Sequence, residues 1–234
     1  MAGSVVQPCQ APGLGAWDRI GCYCERGLDP SFWAEPLNAL SNLGFIAAAV
    51  LAWLYFRNHR PPRGAGVIAC FIGLLAVIGA GSFLFHTYAT VWARIADVAP
   101  IGLFILAYVA LALRWFFGLA LPLALAVAVL VTLATFAMPP WFNGSAFYAP
   151  ALLVLVVLAA ALSAKRHGAG RWLTAAAGVF VVSLVLRSID RIEFACAANG
   201  IGSHWAWHLL NAVVLYLLLR AAIHNPPAPQ SKRA

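Results

Sequence analysis

The sequence predicts an all-α integral membrane protein, a bundle of seven transmembrane helices with its N-terminus outside and its C-terminus cytoplasmic. Three observations carry that reading. The 234 residues are 63% hydrophobic and only 9% charged, with a mean hydropathy of +0.87, a composition of membrane-spanning chains rather than soluble domains. The apolar residues gather into runs long enough to cross a hydrocarbon core, which takes about 20 residues of helix. The charged residues fall at the ends of those runs and are sorted by sign.

Residues 1–35 form a polar lead with Cys9, Cys22, Cys24, Asp18, Glu25 and Asp29, too short and mixed for a domain of its own. Its first fifteen residues lack the basic start and apolar core of a cleaved signal peptide, so the first span is expected to direct insertion. The membrane domain is expected over 36–222 and a Pro-rich cytoplasmic tail over 223–234. Span one, 36–56, opens with Pro36 at a plausible first-turn position. It carries Glu35, Asn38, Ser41 and Asn42 around its start, polar groups that must face protein or water rather than acyl chains. A basic loop from Arg57 to Arg63 leads to span two, 66–86, and a short turn to span three, 93–113, with Asp97 in its first turns. Arg114 and Gly118 separate it from span four, 119–137, and the Pro- and Gly-punctuated turn at 138–144 ends that span. Spans five, six and seven follow at 148–163, 172–186 and 204–222, with a polar connector over 187–202 containing Asp190, Glu193 and Cys196.

Orientation follows from charge. The loops after spans one, three and five, with the tail, hold Arg57, Arg60, Arg63, Arg114, Lys165, Arg166, Arg171, Arg220, Lys232 and Arg233, and no acid. The other side holds the remaining five of the 15 basic residues and all 7 acids. Positive-inside bias puts the first group in the cytoplasm, and an even number of spans would move the tail across. The net charge of +8 is therefore read as topology rather than as a nucleic-acid surface.

With seven spans, four chemistry-bearing residues share the outer side. His204 and His208, four apart at the start of span seven, lie on one helix face. His86 closes span two, with Ser82 one turn before it, and Asp97 opens span three. Three imidazoles and a carboxylate on converging helix ends are the parts of a catalytic zinc site, which keeps an open position for water. In that reading Asp97 exchanges protons with the water and the leaving group, and Ser82 hydrogen-bonds a developing oxyanion. Such a site hydrolyses an ester or amide, and its place at bilayer depth selects a lipid. The alternatives are capping or interfacial roles for single histidines and an Asp97–Arg94 ion pair. His59, His167 and His224 read as solvated loop and tail residues, and Cys70 as a small buried apolar residue. Cys24 with Cys196 would tie the lead to the last connector, with Cys22 as the competing partner.

At these residues the sequence resembles the alkaline ceramidase family, seven-span zinc hydrolases related to the adiponectin-type receptors. The matching pieces are Cys24-Glu25, the stretch Ala34 to Asn42, Ser82 to His86 with Asp97, and His204-Trp205-Ala206-Trp207-His208. The resemblance implies an amide hydrolase splitting ceramide into sphingosine and a fatty acid. It implies zinc on His86, His204 and His208, with Ser82 and Asp97 as catalytic partners. It also implies a calcium site in the lead. Glu25 and Glu35 match that site, Cys22 and Gly27 stand where the family has Asp and Asn, and Asp29 is the candidate substitute. The other reading of Glu35 is a hydrogen-bonded helix start near Asn38. Two further classes compete with the hydrolase. One is a haem protein using facing histidines; the other is a receptor-type seven-span protein without turnover.

Overall fold

The computed structural model describes residues 15–20, 23–27, 29–142, 144–190, 196 and 200–227. Cys9, Cys22, Glu193, Lys232 and Arg233 lie outside them. Among the described residues the protein is helical: α1 (Pro36–Ser41), α2 (Leu43–Asn58), α3 (Ala65–Tyr88), α4 (Val91–Phe116), α5 (Leu121–Ala137), α6 (Ala149–Ala164), α7 (Gly170–Ile189) and α8 (His204–His224). A 3₁₀ turn, Ser145–Tyr148, leads into α6.

Six helical stretches are long and apolar enough to cross a membrane, with α1 and α2 joined as Pro36–Asn58 and the 3₁₀ turn joined to α6. The fourth expected span is the exception. It forms α5, whose 17 residues measure about 26 Å at a rise of 1.5 Å per residue, short of the ~30 Å hydrocarbon core. The cause lies in the sequence: Gly118 at φ 73° breaks the chain after α4, and Met138 turns to an extended backbone before Pro139. The seventh boundary also moves. The connector expected from residue 187 begins later, because α7 runs to Ile189 and keeps Arg187 in its last turn.

Each helix from α2 to α7 packs on its successor, and α8 packs on both α7 and α2, closing a ring. Joined by short connections and packed on one another, α2 to α7 alternate in direction. The four helices α4 to α7 therefore return the chain to the end where α3 finished, and α5 traverses the bundle despite its length. The surface is apolar and the interior holds the polar groups. Leu130 and Phe136 are 65% and 72% exposed, whereas Glu35, His86, His204 and His208 are each 1–2% exposed. A helical protein with that polarity is a membrane protein, since water would favour the reverse. The main core is Phe45, Leu75, Phe104, Leu173 and Leu219 with their neighbours.

The lead runs across one end of the ring. The Ile20 amide donates to the Ala89 carbonyl at 2.6 Å, and the Val91 and Trp92 amides donate to the carbonyls of Asp18 and Ala16. These bonds seat the lead on the α3–α4 turn, directly over the expected site.

Candidate metal centre

Three histidines meet beneath the lead. His86 comes from the last turn of α3, and His204 and His208 from the first two turns of α8. Each offers one ring nitrogen, and these nitrogens lie within 4.8 Å of one another. The ring centroids stand 4.6–5.2 Å apart. Among the described residues the buried His86 Nε2 and His204 Nδ1 have no hydrogen-bond partner, which is costly for polar atoms unless an ion or water receives them.

Neighbouring side chains fix two of the tautomers. His86 Nδ1 sits 2.5 Å from Glu35 Oε2. A carboxylate only accepts, so Nδ1 carries the proton and Nε2 turns its lone pair inward. Ser41 Oγ lies 2.7 Å from His208 Nδ1 and donates its only proton to the Asn38 carbonyl at 2.9 Å. It must therefore accept from His208 Nδ1, leaving Nε2 of that ring unprotonated. Oriented imidazoles of this kind are the usual outer support of metal-ligating histidines. Burial and the flanking charges act in opposite directions on Glu35. Burial raises its carboxyl, and the neighbouring His86 and Arg26 outweigh it, holding the group below its ordinary range.

Ser82 lies one turn before His86 and is buried. The Asp97 carboxylate lies in the electrostatic reach of Ser82, His86 and Arg187. Two residues bring α4 this close. Pro100 inside α4 has no N–H and crowds the carbonyl four residues back, that of Ala96. Gly81 lies where any Cβ would collide with that same carbonyl, so the missing side chain lets the turn carrying Asp97 rest on α3.

The lead and the last connector close the site. Tyr23 stacks on His204 with centroids 3.9 Å apart and stands 4.9 Å from His86; burial lifts its phenol well above the usual range. Cys24 is joined to Cys196, with Cα atoms 5.6 Å apart. Asp190 Oδ1 accepts the amides of Ser203 and His204 at 2.7 and 2.8 Å, capping α8 at the turn that carries His204. Burial raises the Asp190 carboxyl above its ordinary range even with those amides pulling it down. Gly202, at φ 75°, passes so near Asp190 and Cys24 that a Cβ would strike both.

The two remaining sequence candidates are occupied by the protein itself. Glu25 accepts the Leu37 and Asn38 amides at 2.7 and 2.9 Å, holding the start of α1 from twelve residues away. Burial raises its carboxyl, partly offset by those amides. Glu35 pairs with Arg26 as well as His86. Sequence reasoning missed Arg26, Tyr23, Ser41 and the capping role of Asp190. It also left Arg187 in a loop, whereas its guanidinium packs over Tyr148 and Trp207 and donates to Ser145.

The fold and centre together define a helical membrane protein with a buried three-histidine group able to hold a metal ion. The chain belongs to the ceramidase family: the family model described as Ceramidase matches residues 23–225. That match runs from Tyr23 in the lead to just past the end of α8. No curated protein matches the chain significantly.

Proposed function

We propose that the protein is a zinc-dependent amidase that hydrolyses ceramide, or a close N-acyl lipid, to a long-chain amine and a fatty acid. The observation that carries this reading is the buried trio of His86, His204 and His208 with Asp97 and Ser82 alongside, in a chain of the ceramidase family. The donor set fits zinc: three neutral nitrogens, two of them oriented from behind, with room for a fourth position. Zinc there would supply a Lewis acid that activates water and polarises the amide carbonyl.

The protein's own groups do the rest. Asp97 takes the proton of the attacking water and delivers it to the nitrogen as the C–N bond breaks. Ser82, beside Asp97, hydrogen-bonds the carbonyl oxygen as charge develops there. Tyr23 and the lead shield the centre from bulk water, and the apolar ring walls admit acyl chains. In the charge-sorted topology the site lies near the non-cytoplasmic face. A receptor or haem protein would leave the Ser82–Asp97 pair without a task.

Incubating the purified protein with a panel of N-acyl lipids and identifying products by mass spectrometry tests the activity. Metal analysis of the same preparation should give about one zinc per chain. His86→Ala, His204→Ala and His208→Ala should each lose both zinc and turnover, because two imidazoles hold zinc far more weakly than three. Full zinc occupancy in all three variants refutes the ligand assignment, and a Soret band would replace it with haem.

A further inference from the structure

We infer that Arg26 is a positioning residue for the metal centre and that its guanidinium stands in the place a calcium ion would take between the lead and α3. The inference rests on the three-histidine reading for its effect on metal binding, but its calcium arm stands alone.

Arg26 is 5% exposed, and all five of its N–H donors have oxygen partners. Nε donates to Glu35 Oε1 at 2.5 Å. One terminal nitrogen donates to the carbonyls of Asp29 and Ser31 at 3.2 and 2.9 Å. The other donates to the carbonyls of His86 and Thr87 at 2.9 and 3.3 Å. One carboxylate and four carbonyls around a single buried positive charge form the kind of oxygen shell that holds calcium. Here the charge is covalent.

The residues expected for calcium do not fit the ion. Both Glu25 oxygens cap α1. The Glu35 oxygens are spent on Arg26, His86 and Asn38. An ion entering this shell would meet a fixed guanidinium among its own ligands.

The same contacts explain what the cation does. The His86 and Thr87 carbonyls belong to the last turn of α3, where helix carbonyls lack intrahelical donors and the dipole is negative. Arg26 caps that turn and at the same time fixes Glu35, whose other oxygen sets the His86 tautomer. The chain from Arg26 through Glu35 to His86 Nε2 therefore aims a metal ligand, and outer partners of this kind change metal affinity by about 10–100-fold when removed. Lysine is a poor substitute, because one ammonium has three donors and no planar fork.

The test uses the full-length protein in detergent. After EGTA treatment, wild type titrated with calcium chloride should show no stoichiometric binding heat and no thermal shift. Arg26→Ala should bind zinc about 10–100-fold more weakly and, loaded with cobalt, should shift its visible absorption, a signature of altered ligand geometry. Millimolar methylguanidinium should restore part of that spectrum. Should the alanine variant fail to fold, Arg26→Lys is read by the same two measurements and should bind zinc more weakly than wild type with a shifted cobalt spectrum. Stoichiometric calcium binding by wild type overturns the inference, as does an arginine variant with unchanged zinc affinity and cobalt spectrum. A wild type that takes up neither zinc nor cobalt refutes the metal-centre reading instead, and the calcium titration then decides the place of Arg26 by itself.

Discussion

At the scale of single residues, Asp97 separates chemistry from scaffold. Its carboxylate belongs to α4 and senses Ser82 and His86, but the three ring nitrogens gather without it. Asp97→Asn nearly preserves shape while removing the group that accepts the water's proton. Zinc content and folding should therefore stay near wild type, while kcat falls by about 10²-fold or more. Zinc and kcat measured on one preparation decide the point: retained zinc with wild-type turnover rules out the proton-transfer role. Ser82→Ala should also lower kcat with zinc retained, since it removes the hydroxyl proposed to meet the developing oxyanion and leaves Asp97 itself.

At the scale of elements, the contact between α3 and α4 sets the distance between His86 and Asp97. It depends on Gly81 lacking a Cβ where the Ala96 carbonyl presses in, and on Pro100 disturbing that carbonyl from within α4. Gly81→Ala should push the first turns of α4 outward, an overpacking that costs about 1–3 kcal/mol. We expect a lower melting temperature and a kcat loss with zinc retained, because α4 supplies the base and no histidine. Equal melting temperature and kcat for Gly81→Ala and wild type would contradict this account. The same contact shows what could be read beforehand. His204 and His208 announce their shared face by a spacing of four, and His86 is placed by the end of an apolar run, so the trio was legible. Gly81 and Arg26 were not. A glycine within an apolar helix does not say which neighbour it admits, and Arg26 meets the His86 carbonyl across 60 residues with no local pattern to mark it. The fourth span, expected over 119–137, is α5 over Leu121–Ala137, two residues shorter because Leu119 still belongs to the turn after α4, its amide on the Leu113 carbonyl.

At the scale of the whole molecule, the two ends of the ring differ in charge, and that difference predicts an orientation. One end carries Arg57, Arg114, Lys165, Arg166, Arg171 and Arg220 near the helix termini. Their loops meet there: a Cβ on Gly168 would touch Asn225, and one on Gly64 would touch Trp115 and Pro227. The opposite end holds His86, His204 and His208, the lead, and Glu25, Glu35, Asp97 and Asp190. Positive charge near span ends resists translocation while acids contribute little, so the basic end should be cytoplasmic and the metal centre should lie near the other face. The Cys24–Cys196 link agrees with that placement, since disulfides persist on oxidising sides of membranes. A C-terminal fluorescent-protein fusion should fluoresce in the cytoplasm, and a C-terminal alkaline phosphatase fusion should be inactive. The opposite pair of results would overturn the orientation. It would also place Cys24 and Cys196 on the reducing side, where the link between the lead and α8 would not persist. With seven traverses the parity is strict: if α5 failed to cross, the tail reporter would change sides while the histidines of α3 and α8 could no longer share an end.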